Sequence, residues 1–285
     1  MNTKVARHVQ HAFQALALDE HRRLFTPTLW ELPDDARNLK KLKQCWFPGV
    51  HSNIGGSYPD AGISNITLAW MISQLEDHDG GILAFDHDYL DQVQEWNTEG
   101  YAQRKEPVRP WGMGRLYDSA SPNNVLTAAQ GINPITRTPG QYHQIDVHSG
   151  LPNNVPLTNT NEYIHRCVRV RIDGGGLGTE DDPPNTTAKV LNVGKKVFEV
   201  FEHHPTASET QNAPALYNSA ALNHYKLVQP KSVEMELNHS APGPSGVYWQ
   251  WQGTDRGKDL PEDGLGRTEI RMLQRSAAQA FGKGH

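Results

Sequence analysis

Apolar residues from Val5 onward recur at three- and four-residue intervals, at Val9, Ala12, Phe13, Leu16 and Ala17, which predicts an amphipathic helix running to about Leu18. After the turn-rich ELPDDARN, the run from Leu42 to Phe47 reads as a short buried strand, and Pro48-Gly49 bends the chain out of it. Residues 51–62 read as a glycine-rich loop. Ser64 is a plausible N-cap for a mostly apolar helix carrying Ile66, Leu68, Ala69, Met71, Ile72 and Leu75, as suits packing on a sheet. A further helix is expected from about Asp88 to Trp96.

Beyond Tyr101 the texture changes to proline, glycine and asparagine with brief apolar islands such as RPWGMGRLYDS and TRTPGQY. Irregular chain of this length is either functional or packed on a scaffold. TNEYIHRCVRVRI carries two signals: Val168, Val170 and Ile172 alternate like a strand, while Asn159 and Glu162 are spaced like a capping box. The first half is assigned to helix. GVYWQWQ predicts a strand with Trp249 and Trp251 on one face, and Ile270, Leu273, Ala277 and Ala280 mark one face of a terminal helix. The expected class is α/β, with residues 1–100 forming a sheet-and-helix core and residues 101–285 an irregular region packed on it.

Charge changes the picture mainly by exclusion. The net charge of -5 is spread over the whole length without a basic block, so nucleic acid is not an expected partner. Cys45 and Cys167 are the only cysteines and form neither a disulfide framework nor a CxxC motif, which fits a reducing compartment. No run approaches the about 18 apolar residues of a membrane span, and the N-terminal stretch containing Lys4, Arg7 and His8 lacks a signal peptide's apolar segment. A cytoplasmic location is the expectation.

Candidate chemistry centres on CWFPGVHSNIGG. His51 lies on a loop just past a strand's carboxyl end, where open α/β sheets place ligand-binding and catalytic groups. The simpler alternative is a loop histidine hydrogen-bonded to backbone. Cys45 is a possible nucleophile but more simply a small core hydrophobe. Asp34 and Asp35 precede His51 in the order of a triad acid, yet LPDDARN is also an ordinary turn.

Metal ligation could draw on His8 and His11, on Asp79, Asp86, His87 and Asp88, or on His203 and His204. No recognisable second half-site accompanies them, and Asp-His-Asp before a helix is more simply an N-cap, so no metal or other cofactor is expected. DGGGLGT, from Asp173, follows a possible strand but continues into EDDPPNTT, which offers no helix start for a dinucleotide pyrophosphate.

WFPGVHSNIGGSYPDAGISNITLAWM closely resembles the histidine-bearing segment of the phospholipase-effector α/β-hydrolase family associated with type VI secretion, found in fungi as well as bacteria. ALALDEHRRLFTPTLWE is similar to the stretch before it. RPWGMGRLYDS, TRTPGQY, TNEYIH and LPEDGLG resemble the pattern after it in fungal members.

The resemblance implies an α/β-hydrolase-like sheet with flanking helices, and hydrolysis of an ester or phospholipid by a serine polarised through histidine and a carboxylate. His51 takes the histidine's place. It further implies that the nucleophile elbow and the aspartate lie upstream of ALALDE. No serine precedes His51, and Gly-x-Ser-x-Gly occurs nowhere in the chain; GPSGV at Gly243 fails at its last position.

The expectation is therefore an incomplete hydrolase sheet, inactive by itself, whose absent N-terminal half is a possible partner. The alternative is a non-catalytic scaffold or interaction protein derived from the same fold. Loss of neighbouring strands would expose a sheet edge beside Leu42 to Phe47 and favour aggregation.

Overall fold

The computed structural model describes residues 3–33, 35, 37–76, 81–117, 134–146, 148–176, 178, 217–229 and 244–281. Strands β1 (His11–Ala17), β2 (Lys41–Phe47), β5 (Glu162–His165) and β8 (Leu260–Asp263) run parallel, and β7 (Pro244–Trp251) and β6 (Tyr225–Val228) continue the sheet antiparallel, in the order β1-β2-β5-β8-β7-β6. A separate hairpin pairs β3 (His143–Ile145) with β4 (Pro152–Pro156). The helices are α1 (His51–Gly55), α2 (Gly62–Glu76), α3 (His87–Gln103), α4 (Arg166–Asp173) and α5 (Arg267–Phe281). A mixed sheet with flanking helices is an α/β fold, as the sequence predicts.

The first element corrects that reading. Residues 11–17 form a strand paired residue for residue with β2, from His11 opposite Lys41 to Ala17 opposite Phe47. Alanine and leucine favour helix locally, but seven residues of ladder pairing outweigh that preference. The apparent helical period arose because Ala12 and Leu16 are buried on one face while Phe13, Ala15 and Ala17 pack partly buried on the other. A strand covered on both faces has no alternation to show. A second consequence concerns edges: β2 is paired on both sides, so among the described residues the outer strand on this side of the sheet is β1, with β6 at the far side.

TNEYIHRCVRVRI reverses the expected order. Asn159 and Asn161 adopt left-handed backbone at φ 52° and 49° instead of capping a helix. Glu162 opens β5, and the helix begins only at Arg166, capped by His165, whose Nδ1 accepts the Cys167 N–H at 3.2 Å. Every residue of α4 from Cys167 to Arg171 is buried, so no polar face marked it as a helix. The helix at α2 is found where expected but starts at Gly62, whose N–H donates to Asp60 Oδ1 at 2.8 Å; the Ser64 hydroxyl instead donates to the Ala61 carbonyl. α3, β7 and α5 appear as the sequence predicts.

Register decides which side chains share a face. Phe47, His165 and Asp263 project to one side: the Phe47 and His165 rings stack at 4.4 Å, and His165 lies opposite Asp263 in the ladder. Trp70 of α2 meets this face edge-on at Phe47 and donates its indole N–H to Asp263 Oδ2 at 2.8 Å, while Glu269 of α5 reaches His165 at 2.6 Å. Trp46, Ile164 and Glu262 project to the other side, where Tyr142 stacks on Trp46 and Arg166 and Arg169 of α4 hold Glu262. The core therefore combines large aromatics with buried ion pairs, such as Lys43 with Asp263 and Arg169 with Glu262.

Candidate active site

The carboxyl ends of β1 and β2 lie side by side, and the ladder runs past both strands. The Leu18 N–H donates to the Phe47 carbonyl and the Asp19 N–H to the Gly49 carbonyl, each at 3.0 Å. This brings the turn Asp19-Glu20 against the turn that carries His51. Asp19 Oδ2 accepts the Gly49 N–H at 2.6 Å, and Glu20 Oε2 accepts the His51 N–H at 3.1 Å. Two acidic side chains thus grip the backbone of the histidine loop.

His51 is the first residue of α1, and its imidazole is exposed to solvent. The ring packs on Phe25, with centroids 5.0 Å apart. Among the described residues no carboxylate hydrogen-bonds to the imidazole, so the histidine is positioned through its backbone and one aromatic contact. The loop histidine bound to backbone through its ring, weighed as the simpler alternative, is also not what these residues show.

The two acids differ in environment. Asp19 is buried and also accepts the Tyr217 hydroxyl at 2.8 Å. Burial raises its pKa above the ordinary aspartate value, and the N–H of Gly49 and hydroxyl of Tyr217 pull it back part of the way. Glu20 is committed to Arg22, taking its backbone N–H, its Nε and its Nη2 at 2.8–2.9 Å. Asp19 was passed over in the sequence because residues 5–18 read as a helix. An aspartate immediately after a strand, next to the histidine strand, would have been the available signal.

The turn geometry depends on Gly49, which sits at φ +99° with Asn53 against its α-carbon: a Cβ there would lie 2.8 Å from Asn53 Cβ and Oδ1. Asn53 cannot retreat easily. It is buried, its Oδ1 accepts the Val50 and Tyr117 N–H groups, and its amide donates to the Arg115 carbonyl at 2.8 Å. Gly49→Ala is expected to combine left-handed backbone strain with this collision and to destabilise the protein by about 1–3 kcal/mol. Urea denaturation checks it; a change below about 0.5 kcal/mol would mean that the turn relaxes freely.

The remaining candidates separate from His51. Cys45 lies in the middle of β2, fully buried, and burial pushes its thiol well above the usual cysteine range, which suits an inert core residue. Asp35 forms an exposed pair with Arg37 at 2.7 Å, before β2 begins and so at the opposite end of that strand from His51; Asp34 lies outside the described residues. Asp86 caps α3 by accepting the Asp88 and Tyr89 N–H groups, and His87 pairs with Glu76 at 3.0 Å. His11 lies on β1 with its ring 6.2 Å from that of Phe13. Asp79, His203 and His204 lie outside the described residues. Among the described residues no group of three or more His, Cys, Asp or Glu is arranged to hold a metal ion. DGGGLGT follows helix α4 and not a strand.

No helix among the described residues is long and apolar enough to cross a membrane. No curated protein and no solved structure matches the chain. The family described as T6SS, phospholipase effector Tle1-like, catalytic domain matches residues 1–74, a span containing β1, β2, Asp19, Glu20 and His51. Over residues 1–74, the segment that builds the paired strand ends and presents His51, the chain is therefore similar to the type VI secretion phospholipase effector Tle1-like catalytic domain family.

Proposed function

We propose that this chain carries the histidine of a serine-hydrolase site of α/β-hydrolase type that cleaves a carboxylic ester of a phospholipid. The observation that supports the reading is the juxtaposition, at the carboxyl ends of two parallel strands, of the buried Asp19 and the exposed His51 within the family-matched segment. His51 acts as general base, taking the proton of a serine hydroxyl as it attacks the ester carbonyl, and then as general acid, passing that proton to the leaving alcohol. Water, deprotonated by the same imidazole, releases the acyl group from the serine. Asp19 and Glu20 hold the backbone of the turn that presents this imidazole, and no carboxylate among the described residues reaches the ring, so the orienting acid comes with the serine.

The serine is the part not found in these residues, since no Gly-x-Ser-x-Gly occurs in the chain. The same fact favours a second reading, a non-catalytic scaffold that keeps the hydrolase architecture. Co-expression with a segment encoded upstream and bearing a nucleophile elbow separates the two. The catalytic reading expects a stable complex that hydrolyses phospholipid esters and loses on the order of 10⁵-fold or more in kcat with His51→Gln. A complex with no esterase activity, or activity indifferent to His51, supports the scaffold.

A further inference from the structure

A short turn beside His51 presents apolar and basic side chains together. Residues 23–25 form a single turn of 3₁₀ helix in which Leu24 is 75% exposed and Phe25 40% exposed. The guanidinium of Arg22 lies 3.8 Å over the Phe25 ring, and that ring in turn packs on His51. Arg23 points to solvent. Leu24 and Phe25 together make a small exposed apolar patch.

The turn is also held in fixed register with the histidine. One carboxylate, that of Glu20, binds both the Arg22 guanidinium and the His51 backbone N–H. The buried Arg137 adds a second tether, donating from Nη2 to the Arg22 carbonyl at 2.9 Å. Leu24 and Phe25 therefore form a rigid rim at the position of the imidazole, and not a loop free to fold back over its own apolar groups.

We propose that this turn is the docking lip of the site and seats on the surface of an anionic phospholipid bilayer. The proposal rests on the reading of His51 as the base of a phospholipid-ester hydrolase. Leu24 enters the acyl boundary, Phe25 lies at the headgroup level, and Arg23 meets the phosphates, while Arg22 stays paired with Glu20 against the aromatic ring. The combination is what distinguishes a lipid surface from a purely apolar protein partner: the apolar side chains are flanked by arginines in a chain whose net charge is -5. Since the molecule as a whole repels an anionic surface, attraction to one has to be local and is sensitive to salt.

Co-sedimentation of the intact chain with vesicles tests the proposal, and the readout is partition, which requires no nucleophile. Binding is expected to vesicles of phosphatidylcholine and phosphatidylglycerol mixed two to one, with much weaker binding to phosphatidylcholine alone. Leu24→Asp is expected to lower the partition by about tenfold, and Arg23→Glu by about fivefold or more on the anionic vesicles only. Leu151→Asp changes another exposed leucine, 56% exposed in the turn between β3 and β4, and is expected to leave partition unchanged. Equal binding to both vesicle types, equal loss with Leu151→Asp, or wild-type partition by Leu24→Asp would each overturn the proposal. So would a Leu24→Asp variant that binds vesicles normally but no longer binds an upstream protein segment, which would assign the turn to protein packing. A chain that docks on vesicles but never hydrolyses ester when completed leaves the lip standing and removes the catalytic role of His51.

Discussion

Asp263→Ala is expected to cost about 3–5 kcal/mol, a large part of the about 5–15 kcal/mol that holds an ordinary domain together. Lys43 and Asp263 meet at 2.6 Å across 220 residues of sequence, with side chains only 3% and 0% exposed. The second carboxylate oxygen takes the indole N–H of Trp70 at 2.8 Å. Removing the carboxylate leaves an ammonium inside the sheet with the Tyr163 ring, 5.1 Å away, as a poor substitute, and leaves the indole N–H without its acceptor. Chemical denaturation measures the loss. The pair as such need not be stabilising: replacing both residues, as Lys43→Met with Asp263→Leu, is expected to recover most of the lost stability, because two uncharged side chains incur no desolvation of ions. A cycle in which the double replacement is as damaging as Asp263→Ala would refute the assignment of the cost to the stranded charge.

Glu269→Ala is expected to lose about 3 kcal/mol or more and to free the C-terminal helix first. Both members of the His165–Glu269 contact are fully buried, at 2.6 Å. The Cys167 N–H donated to Nδ1 occupies that lone pair and places the ring proton on Nε2, facing the carboxylate. The other Glu269 oxygen accepts the Gly266 N–H at 2.9 Å, at the start of α5. One side chain thus anchors α5 to β5, caps its own helix and fixes the imidazole that caps α4. The outward ties of α5 are weaker: Arg271 and Arg275 reach Asp91 at 2.7 and 2.9 Å from half-exposed positions, where such pairs contribute about 1 kcal/mol at most. Hydrogen exchange in residues 267–281 should therefore accelerate sharply in Glu269→Ala and change little in Asp91→Asn. Equal effects in the two variants would contradict the ranking.

The elements that were legible in the sequence are those with a single buried face or a distinct local signal. The run from Leu42 to Phe47 is a short apolar stretch stopped by Pro-Gly, and α5 keeps Met272 and Leu273 inward and Arg271 outward. Asp86 announced α3 because capping is a contact between near neighbours. Where burial surrounds an element the pattern fails: β1 has both faces covered, and α4 buries Arg169 and Arg171 as fully as its valines, because their partners Glu262, Gly112 and Gly114 come from distant chain. The candidate site divides in the same way. His51 was readable from its position after a strand, although it opens helix α1 where the pattern predicted a loop over residues 51–62, whereas Asp19 was hidden by the misreading of the strand before it.

By itself, then, the sequence determined that His51 follows a strand end, that no nucleophile elbow of the Gly-x-Ser-x-Gly type accompanies it, and that its surroundings resemble a hydrolase family. Those are facts of order and spacing along the chain. Only the tertiary structure decided that residues 11–17 pair with β2, that Asp19 and Glu20 grip the histidine loop, and that Leu24 and Phe25 stand exposed beside it. Parallel pairing joins backbone groups with no mark in either segment's local pattern, and a side chain's burial depends on which distant strands and helices arrive to cover it.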